Sequence, residues 1–312
     1  ALACGDVPSY SAFEGMDLTG GGSSGSGAGA RTEAAGPLTE PPLASAKLLA
    51  LRTPQAVDVG SRGSLRERSA LVPGALAGVE AEVSLLSDVL RDSEISEIVA
   101  VASKLLSDLV CAGRGREPDV ADGRPRFAVT LVDRGRYGVE LAHLLKPLVD
   151  EALLPYLRSK YDCPSMALSS AVFRRFLPEE RRFLPPRLDY GAFVACCLSL
   201  QDLSASAGGM FVQAPGEDLS ERRFVPLSRG EVAVYRWDLY HGVEVLQEDQ
   251  RLLELSLIFK DSAEAVASGS SPWHFADAEA GDASAQVGWA VSLAASGDHA
   301  AAVQWLAKAS AQ

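Results

Sequence analysis

The chain is poor in cysteine, in long apolar runs and in basic charge, and each shortage excludes a class of protein. Its five cysteines are scattered without the C-x-x-C spacing of zinc sites, so we predict reduced thiols, which slightly favours an intracellular compartment. A membrane-spanning helix needs about 18 apolar residues, whereas the run FVACCLSL has eight. The formal net charge of −12 argues against non-specific binding to nucleic acid, which relies on basic surface. We therefore predict neither a membrane protein nor a nucleic-acid-binding protein.

Length and composition are those of a globular protein with a disordered leader. Hydrophobic residues make up 47% of the 312 residues and charged residues 22%, which is enough apolar surface to bury a core. Residues 1–46 are dominated by Gly, Ser, Ala and Pro, and we predict that they are disordered because they can bury too little apolar surface to offset the entropy of ordering. Their Gly-rich part lacks the Gly-Lys-Ser/Thr of a phosphate-binding loop. Residues 47–77 are predicted to be a linker.

Two amphipathic stretches predict helices within residues 78–160. In the first, from Ser93 to Leu109, apolar residues recur at helical spacing, and two glutamates in the first turn favour the positive end of the helix. The second, VELAHLLKPLVDEALLPYLRSK, repeats the apolar pattern up to Lys160. It carries His143, which we interpret as a surface or partly packed histidine.

Residues 168–261 predict a β-sandwich or a β-barrel. Short β-rich runs are separated by Gly, Pro, Asp and Ser at intervals of about ten residues, which is typical of antiparallel sheets. In the run RLLELSLIF, Arg251 alternates onto the same face as Leu253 and the following odd-numbered apolar residues, while Glu254 takes the other face. An arginine on an apolar face needs an anionic partner, because an unpaired buried charge costs several kcal/mol.

Four residues in these strands form the candidate site. Arg187 and Asp189 lie two residues apart, so their side chains share one face of a strand. His241 is separated from Arg251 by a strand, a tight turn and the start of the next strand. This spacing is suited to aiming both side chains into one cavity.

The arrangement resembles the Fe(II)- and 2-oxoglutarate-dependent dioxygenases, in their prolyl 4-hydroxylase-like branch. That family has a His-x-Asp at the start of a strand, a second His near the end of the sheet, and a basic residue about ten positions later; the two histidines and the carboxylate hold iron as a facial triad. Gly208-Gly209 matches the family's Gly-Gly before a strand, and His241-Gly242-Val243 matches the context of its second His.

The resemblance covers about residues 80–261 and implies an α+β fold. We expect one dioxygenase-like domain over residues 78–265. Its helices, within residues 78–160, are expected to support the larger sheet of a double-stranded β-helix (jelly-roll) barrel over residues 168–261.

By position, the resemblance assigns Asp189 and His241 as metal ligands and Arg251 as the residue that binds the distal carboxylate of 2-oxoglutarate. Arg187 stands where the family has its first histidine. A guanidinium stays protonated and offers no lone pair, so it cannot ligate iron, and we expect it to pair with Asp189. The other histidines lie outside the predicted strands: His143, His274 and His299.

The resemblance leaves two functions open. The first is an oxygenase that uses Fe(II), 2-oxoglutarate and O2, with ascorbate as a further cofactor, to hydroxylate a prolyl-type protein side chain or a small molecule. The second is a catalytically inactive module of the same fold that works by binding. An ion pair between Arg187 and Asp189 that fills the metal position favours the second.

Five arginines between residues 174 and 187 stand out in an acidic chain. One interpretation is a solvated rim paired with Glu179 and Glu180. The other is an entrance that attracts an anionic co-substrate or an acidic peptide. Further along, Trp237 precedes His241 closely, and we interpret it as a core aromatic residue.

Residues 276–312 predict a pair of helices. Two Ala-rich stretches are broken at Gly297-Asp298, and the spacing of their small residues, together with Trp305, resembles one Sel-like repeat of the tetratricopeptide superfamily. Such repeats bury their faces by stacking, so a single copy implies either truncation of a longer array or docking against the barrel. The structural interpretation is that the small residues allow close contact between the helices, and the functional one is that the repeat binds a protein partner.

Overall fold

A computed structural model describes residues 47–58, 64–76, 78–116, 118–119, 122–177, 179–202 and 207–312. The leader predicted to be disordered, residues 1–46, lies outside the described residues.

Two antiparallel sheets dominate the described part of the chain. Their strands are β1 (Gln55–Asp58), β2 (Ser64–Pro73), β3 (Glu80–Ser87), β4 (Ala128–Asp133), β5 (Arg136–Tyr137), β6 (Ala167–Phe176), β7 (Phe183–Arg187), β8 (Val194–Ser199), β9 (Gly208–Val212), β10 (Arg223–Phe224), β11 (Val232–Arg236), β12 (His241–Val245) and β13 (Leu252–Lys260). The larger sheet has the order β1-β2-β3-β11-β8-β13-β6-β4-β5, and the smaller sheet has the order β10-β9-β12-β7.

The order of the strands is consistent with a jelly roll. From β6 onward, successive strands alternate between the two sheets, except that β9 and β10 both belong to the smaller one. The expected barrel is not closed, because among the described residues no strand of one sheet pairs with a strand of the other. The sheets are held face to face by side chains instead, with Met210 and Val212 of β9 packed against Ala195, Cys197 and Tyr235 of the larger sheet.

Helices cover the outer face of the larger sheet. They are α1 (Asp92–Cys111), α2 (Ala142–Pro147) and α3 (Leu154–Lys160), with a wider helical turn at Leu148–Leu153 joining the last two. That turn follows Pro147, whose ring nitrogen cannot donate the hydrogen bond that a regular helix needs. The helices pack on the odd-numbered residues of β13 and the even-numbered residues of β8. In the described ranges no helix is long and apolar enough to cross a lipid bilayer.

Both faces of the central strands are therefore buried, as two adjacent cysteines illustrate. Cys196 faces the helices and Cys197 faces the smaller sheet. Burial raises the pKa of both thiols, so both remain protonated. They act as small core residues.

Two of the expected boundaries are corrected by the strands. Residues 47–77, expected to be a linker, contain β1 and β2, and residues 78–160, expected to be helical, also contain β3, β4 and β5. In β2 the buried side chains of Leu65, Ala70 and Val72 are interrupted by charged residues. This irregular pattern conceals the alternation that normally indicates a strand.

The C-terminal helices are α4 (Ala263–Ser268), α5 (Phe275–Glu279), α6 (Ala283–Ala295) and α7 (His299–Ser310). The predicted break at Gly297-Asp298 is confirmed, because α6 ends before it, α7 begins after it, and Gly297 has a φ of 90°. The carboxylate of Asp298 accepts a hydrogen bond from the Ala301 backbone N–H and so caps α7. The likeness of this pair to a Sel-like repeat stays a prediction.

The helix pair docks against the loops at one end of the sandwich. His274 is buried, its Nε2 donates to the Tyr190 carbonyl at 2.8 Å, and its ring lies 4.4 Å from the ring of Trp237. A side chain at position 288 of α6 would collide with the His274 ring, so Gly288 permits this close contact. Trp237 is completely buried, as predicted for a core aromatic residue.

This contact predicts a loss of stability in acid. Burial lowers the pKa of His274 to about 4, so the folded protein binds a proton less readily than the unfolded chain. The contribution of neutral His274 to the free energy of unfolding is fully present above the ordinary histidine pKa. It is lost as the pH drops toward 4, and the loss is about 2 kcal/mol at pH 5. Urea unfolding at pH 8 and pH 5 should show that His274→Gln loses less stability than the wild type between these two pH values. Equal losses would contradict this assignment.

Candidate functional site

Three of the four predicted site residues meet at one end of the two sheets. Arg187 ends β7 and His241 begins β12, and their Cα positions are paired across these neighbouring strands. Asp189 follows β7 in a turn that is closed by a hydrogen bond from the Ala192 N–H to the Asp189 carbonyl, at 2.8 Å. Tyr235, at the end of β11, reaches the group from the larger sheet. We call these four residues, Arg187, Asp189, Tyr235 and His241, the central cluster.

Short polar contacts join the members of the central cluster. Arg187 Nε lies 3.4 Å from Asp189 Oδ1, and His241 Nε2 lies 3.4 Å from Asp189 Oδ2. The Tyr235 hydroxyl lies 3.2 Å from His241 Nε2 and 3.4 Å from Asp189 Oδ2. The carboxylate of Asp189 therefore contacts each of the other three side chains.

The tautomer of His241 follows from its backbone contact. Its Nδ1 lies 3.0 Å from the Leu239 carbonyl, and a carbonyl can only accept, so Nδ1 carries the proton. Nε2 is then left with a lone pair directed into the central cluster, where Tyr235 is placed to donate to it. Burial lowers the pKa of His241, although Asp189 opposes this, and the imidazole is neutral at pH 7.

Asp189 is ionised and Arg187 balances its charge. Burial alone would raise the pKa of Asp189, but the neighbouring His241, Arg187 and Arg174 outweigh burial, so the pKa lies below its ordinary value. Because His241 is neutral, we assign the fixed positive charge beside this carboxylate to Arg187. The pair is shielded from water, with 16% of the Arg187 side chain and 13% of the Asp189 side chain exposed.

The residues present do not fit an iron centre. A facial triad takes three protein ligands, whereas the central cluster offers lone pairs from Asp189 and His241, and Arg187 stands in the third position without one. Within the ranges that the structure describes, no group of three or more His, Cys, Asp or Glu side chains is arranged to hold a metal ion. The central cluster therefore lacks the third electron-pair donor that an iron centre of this kind requires.

Arg251 is not brought to the central cluster. Tyr235 of β11 and Ile258 of β13 both pair with Ala195 of β8, so Ile258 is level with the central cluster. Arg251 lies seven residues earlier, about 23 Å along the strand. It is exposed, and its parity is that of Leu253, which packs against the helices. Its role as the anchor of 2-oxoglutarate stays a prediction.

A second charge pair, which the sequence did not reveal, lies between the sheets. Arg174 of β6 and Glu254 of β13 are Cα partners, with Arg174 Nη1 4.0 Å from Glu254 Oε1. Glu254 is almost completely buried, and the thiol of Cys197 donates to its other oxygen at 3.5 Å. Burial raises the pKa of Glu254, although Arg174 opposes this. The alternation along β13 predicted that Glu254 lies on the face opposite Leu253, but it did not indicate that this face is also buried.

The five arginines are not a solvated rim, and this interpretation is corrected. Glu180 pairs with Arg175, as predicted, but the other arginines turn inward or bind other groups because folding brings distant acceptors to them. Two are already described, Arg174 with Glu254 and Arg187 with Asp189. The remaining partners are Asp119 and Asp122 for Arg181, and the carbonyls of Val245 and Leu246 for Arg182.

Comparison with known proteins gives structural neighbours of low similarity. No protein-family model matches the chain, and no curated protein matches it. Similar solved structures include AviO1 from Streptomyces viridochromogenes Tue57, at 16% identity and a TM-score of 0.43 over 57% of this chain and 88% of that one. SnoK, a non-heme alpha ketoglutarate dependent carbocyclase from nogalamycin biosynthesis, has 14% identity and a TM-score of 0.41 over 57% and 78% of the two chains.

A third similar structure is the nickel complex of the non-heme monooxygenase ThoJ, at 14% identity and a TM-score of 0.40 over 61% of this chain and 72% of that one. Likeness at these scores carries no functional argument.

Proposed function

We propose that this chain is a catalytically silent sandwich of the 2-oxoglutarate oxygenase type, which works by binding and not by iron-dependent oxidation. The observation that carries the proposal is the ion pair between Arg187 and Asp189. The strand positions of Arg187, Asp189 and His241 support the resemblance to the family, and the guanidinium supplies a fixed positive charge where that resemblance expects a metal ion.

Electrostatics makes the guanidinium and a metal ion mutually exclusive. A cation bound between Asp189 and His241 would stand beside Arg187, and two unit charges about 4 Å apart repel by about 4 kcal/mol at the effective dielectric constant of a partly buried site. The repulsion doubles for a divalent ion. Arg187 cannot relieve it by losing its proton, because the guanidinium stays charged in proteins. The metal would therefore have to displace Arg187 and leave its charge without a buried partner.

A binding function needs none of the cofactors of the predicted oxygenase reaction. Hydroxylation of a prolyl-type side chain with Fe(II), 2-oxoglutarate, O2 and ascorbate requires a metal centre for which the donors are missing. A binding function requires an interaction surface, and we propose that the α6–α7 helix pair provides it for a protein partner.

Thermal unfolding in the presence of metal tests the proposal. A metal at 100 times its dissociation constant would stabilise the folded chain by about 2.7 kcal/mol. We expect the melting temperature of the metal-stripped wild type to be the same with chelator, with Fe(II) and with Fe(II) plus 2-oxoglutarate, all without oxygen. A rise with Fe(II) in the wild type that disappears in Asp189→Ala would contradict the proposal.

A further inference from the structure

Arg174 lies between the two sheets, further along the strands from the central cluster, at the level of Glu254 on β13. On β6 it alternates with Phe173, which packs in the core on the helix side. Its partner across β13 is Glu254, and the neighbours of Glu254 in the strand, Leu253 and Leu255, also face the helices. Arg174 and Glu254 therefore meet on the opposite face, where Cys197 and Met210 pack between the two sheets.

The hydrogen-bonding capacity of Arg174 is incompletely used. Its Nη1 is 4.0 Å from Glu254 Oε1, which is too long for a hydrogen bond. Its Nε is buried and has no hydrogen-bond partner in the described part of the chain. A guanidinium binds a carboxylate best through two parallel N–H···O bonds, and a buried donor without an acceptor costs about 1–3 kcal/mol. The side chain is thus charged, largely buried and short of an acceptor.

Glu254 supplies the carboxylate, but its hydrogen bonds come from Cys197 on β8 and Ser256 on β13 and not from Arg174. Its oxygens are 3.5 Å from the Cys197 thiol and 3.5 Å from the Ser256 hydroxyl. At 4.0 Å from Arg174 Nη1, the Glu254 carboxylate does not form the two parallel hydrogen bonds that a guanidinium makes best. A free carboxylate is not tethered to β13 and can align with Arg174.

We propose that Arg174 is a binding site for a small carboxylate, and that Glu254 fills it as an internal substitute for the carboxylate of a ligand. The inference rests on the proposed function and deepens it. The Arg187 side chain would take the place of the metal ion, and the Glu254 side chain would take the place of a ligand's carboxylate. The inference also rests on contacts of its own, so it can fail while the proposed function stands.

Shortening Glu254 should convert the internal substitute into an empty site. A cavity of about 10 Å³, lined by Cys197, Ser199, Met210 and Leu252 among others, already adjoins Glu254. Glu254→Ala removes the carboxylate and enlarges this space, while Cys197 and Ser256 remain as donors. Formate and acetate match the group that is removed.

Thermal unfolding of Glu254→Ala in sodium acetate tests the inference, with sodium chloride of equal ionic strength as the reference. We expect a saturating rise in melting temperature of at least about 3 °C with acetate, no such rise for the wild type, and none for Arg174→Met/Glu254→Ala. Titration calorimetry with acetate should give one site in Glu254→Ala and none in the double variant.

Several outcomes would overturn the inference: equal effects of acetate and chloride, an equal effect of acetate on the wild type, or an effect that survives in Arg174→Met/Glu254→Ala. If Glu254→Ala folds only when acetate is present, that dependence is itself the expected rescue. Glu254→Ser, which is small and introduces a hydroxyl near Arg174, provides a second variant for the same titration, with the same expected rise. Metal binding by the wild type would contradict the proposed function and leave this result unaffected.

Discussion

Replacing Arg187 with histidine is expected to create a metal site that the wild-type chain lacks. Position 187 is paired with His241 across β7 and β12, and Asp189 Oδ2 already lies 3.4 Å from His241 Nε2. The Leu239 carbonyl fixes His241 in the tautomer that leaves Nε2 free to bind metal. A second imidazole would complete a set of two histidines and one carboxylate, and the substitution also removes the positive charge that repels a cation.

Cobalt binding measures this gain without any need for catalysis. We expect Arg187→His to take up one equivalent of Co(II), with visible absorption bands and an affinity at least about 100-fold above that of the wild type, since even residues that merely orient a ligand change affinity 10–100-fold. Arg187→Gln is the matched control, because it removes the charge but adds no imidazole. Equal affinities of the His and Gln variants, or unchanged binding in Arg187→His/Asp189→Ala, would contradict the assigned geometry.

Replacing Arg187 with methionine is expected to destabilise the fold strongly. Methionine fills a similar apolar volume but leaves the buried carboxylate of Asp189 without its cation. Removing one partner of a buried ion pair costs about 3–5 kcal/mol, and we expect about 3 kcal/mol here because a small part of both side chains is exposed. Urea unfolding at pH 7 measures the free energy of unfolding of both proteins.

A double-mutant cycle separates this cost from the loss of packing. Asp189→Asn removes the negative charge, so adding Arg187→Met to it should cost less than Arg187→Met costs in the wild type. The pH dependence has a definite sign. Because the pKa of Asp189 is lowered, its contribution is complete above the ordinary aspartate pKa and is lost as the pH falls through the lowered value. Equal effects of Arg187→Met in the two backgrounds would show that the pair contributes nothing.

Local rules and the family resemblance together singled out Arg187, Asp189 and His241, but not Tyr235, the fourth member of the central cluster. Arg187 and Asp189 share a face because they lie two residues apart, and the short connection between β11 and β12 brings His241 beside Tyr235. The break between α6 and α7 was equally local, because Gly297 adopts a left-handed conformation that few other residues tolerate. The Arg187–Asp189 pair and the helix break depend on residues near one another in the chain, whereas the pairing of β7 with β12 that brings His241 to this pair does not.

What escaped prediction depends on residues far apart. The alternation put Arg251 on an apolar face, but Arg251 precedes β13 and is exposed. Both faces of β13 are buried, and the sequence does not indicate which face meets the smaller sheet. Glu254 is explained by Arg174, on a strand that comes much earlier in the chain. Likewise, β2 is a strand because it pairs with β3, and its own pattern of buried residues is irregular.

The most direct test of the central claim is an anaerobic titration of the metal-free wild-type protein with Fe(II), with and without 2-oxoglutarate, followed by calorimetry and visible absorption. If Arg187 takes the place of the metal ion, neither the heat of binding nor the charge-transfer band of an iron–2-oxoglutarate complex should exceed that of Asp189→Ala. One equivalent of Fe(II) bound by the wild type, and lost in both Asp189→Ala and His241→Ala, would contradict the claim.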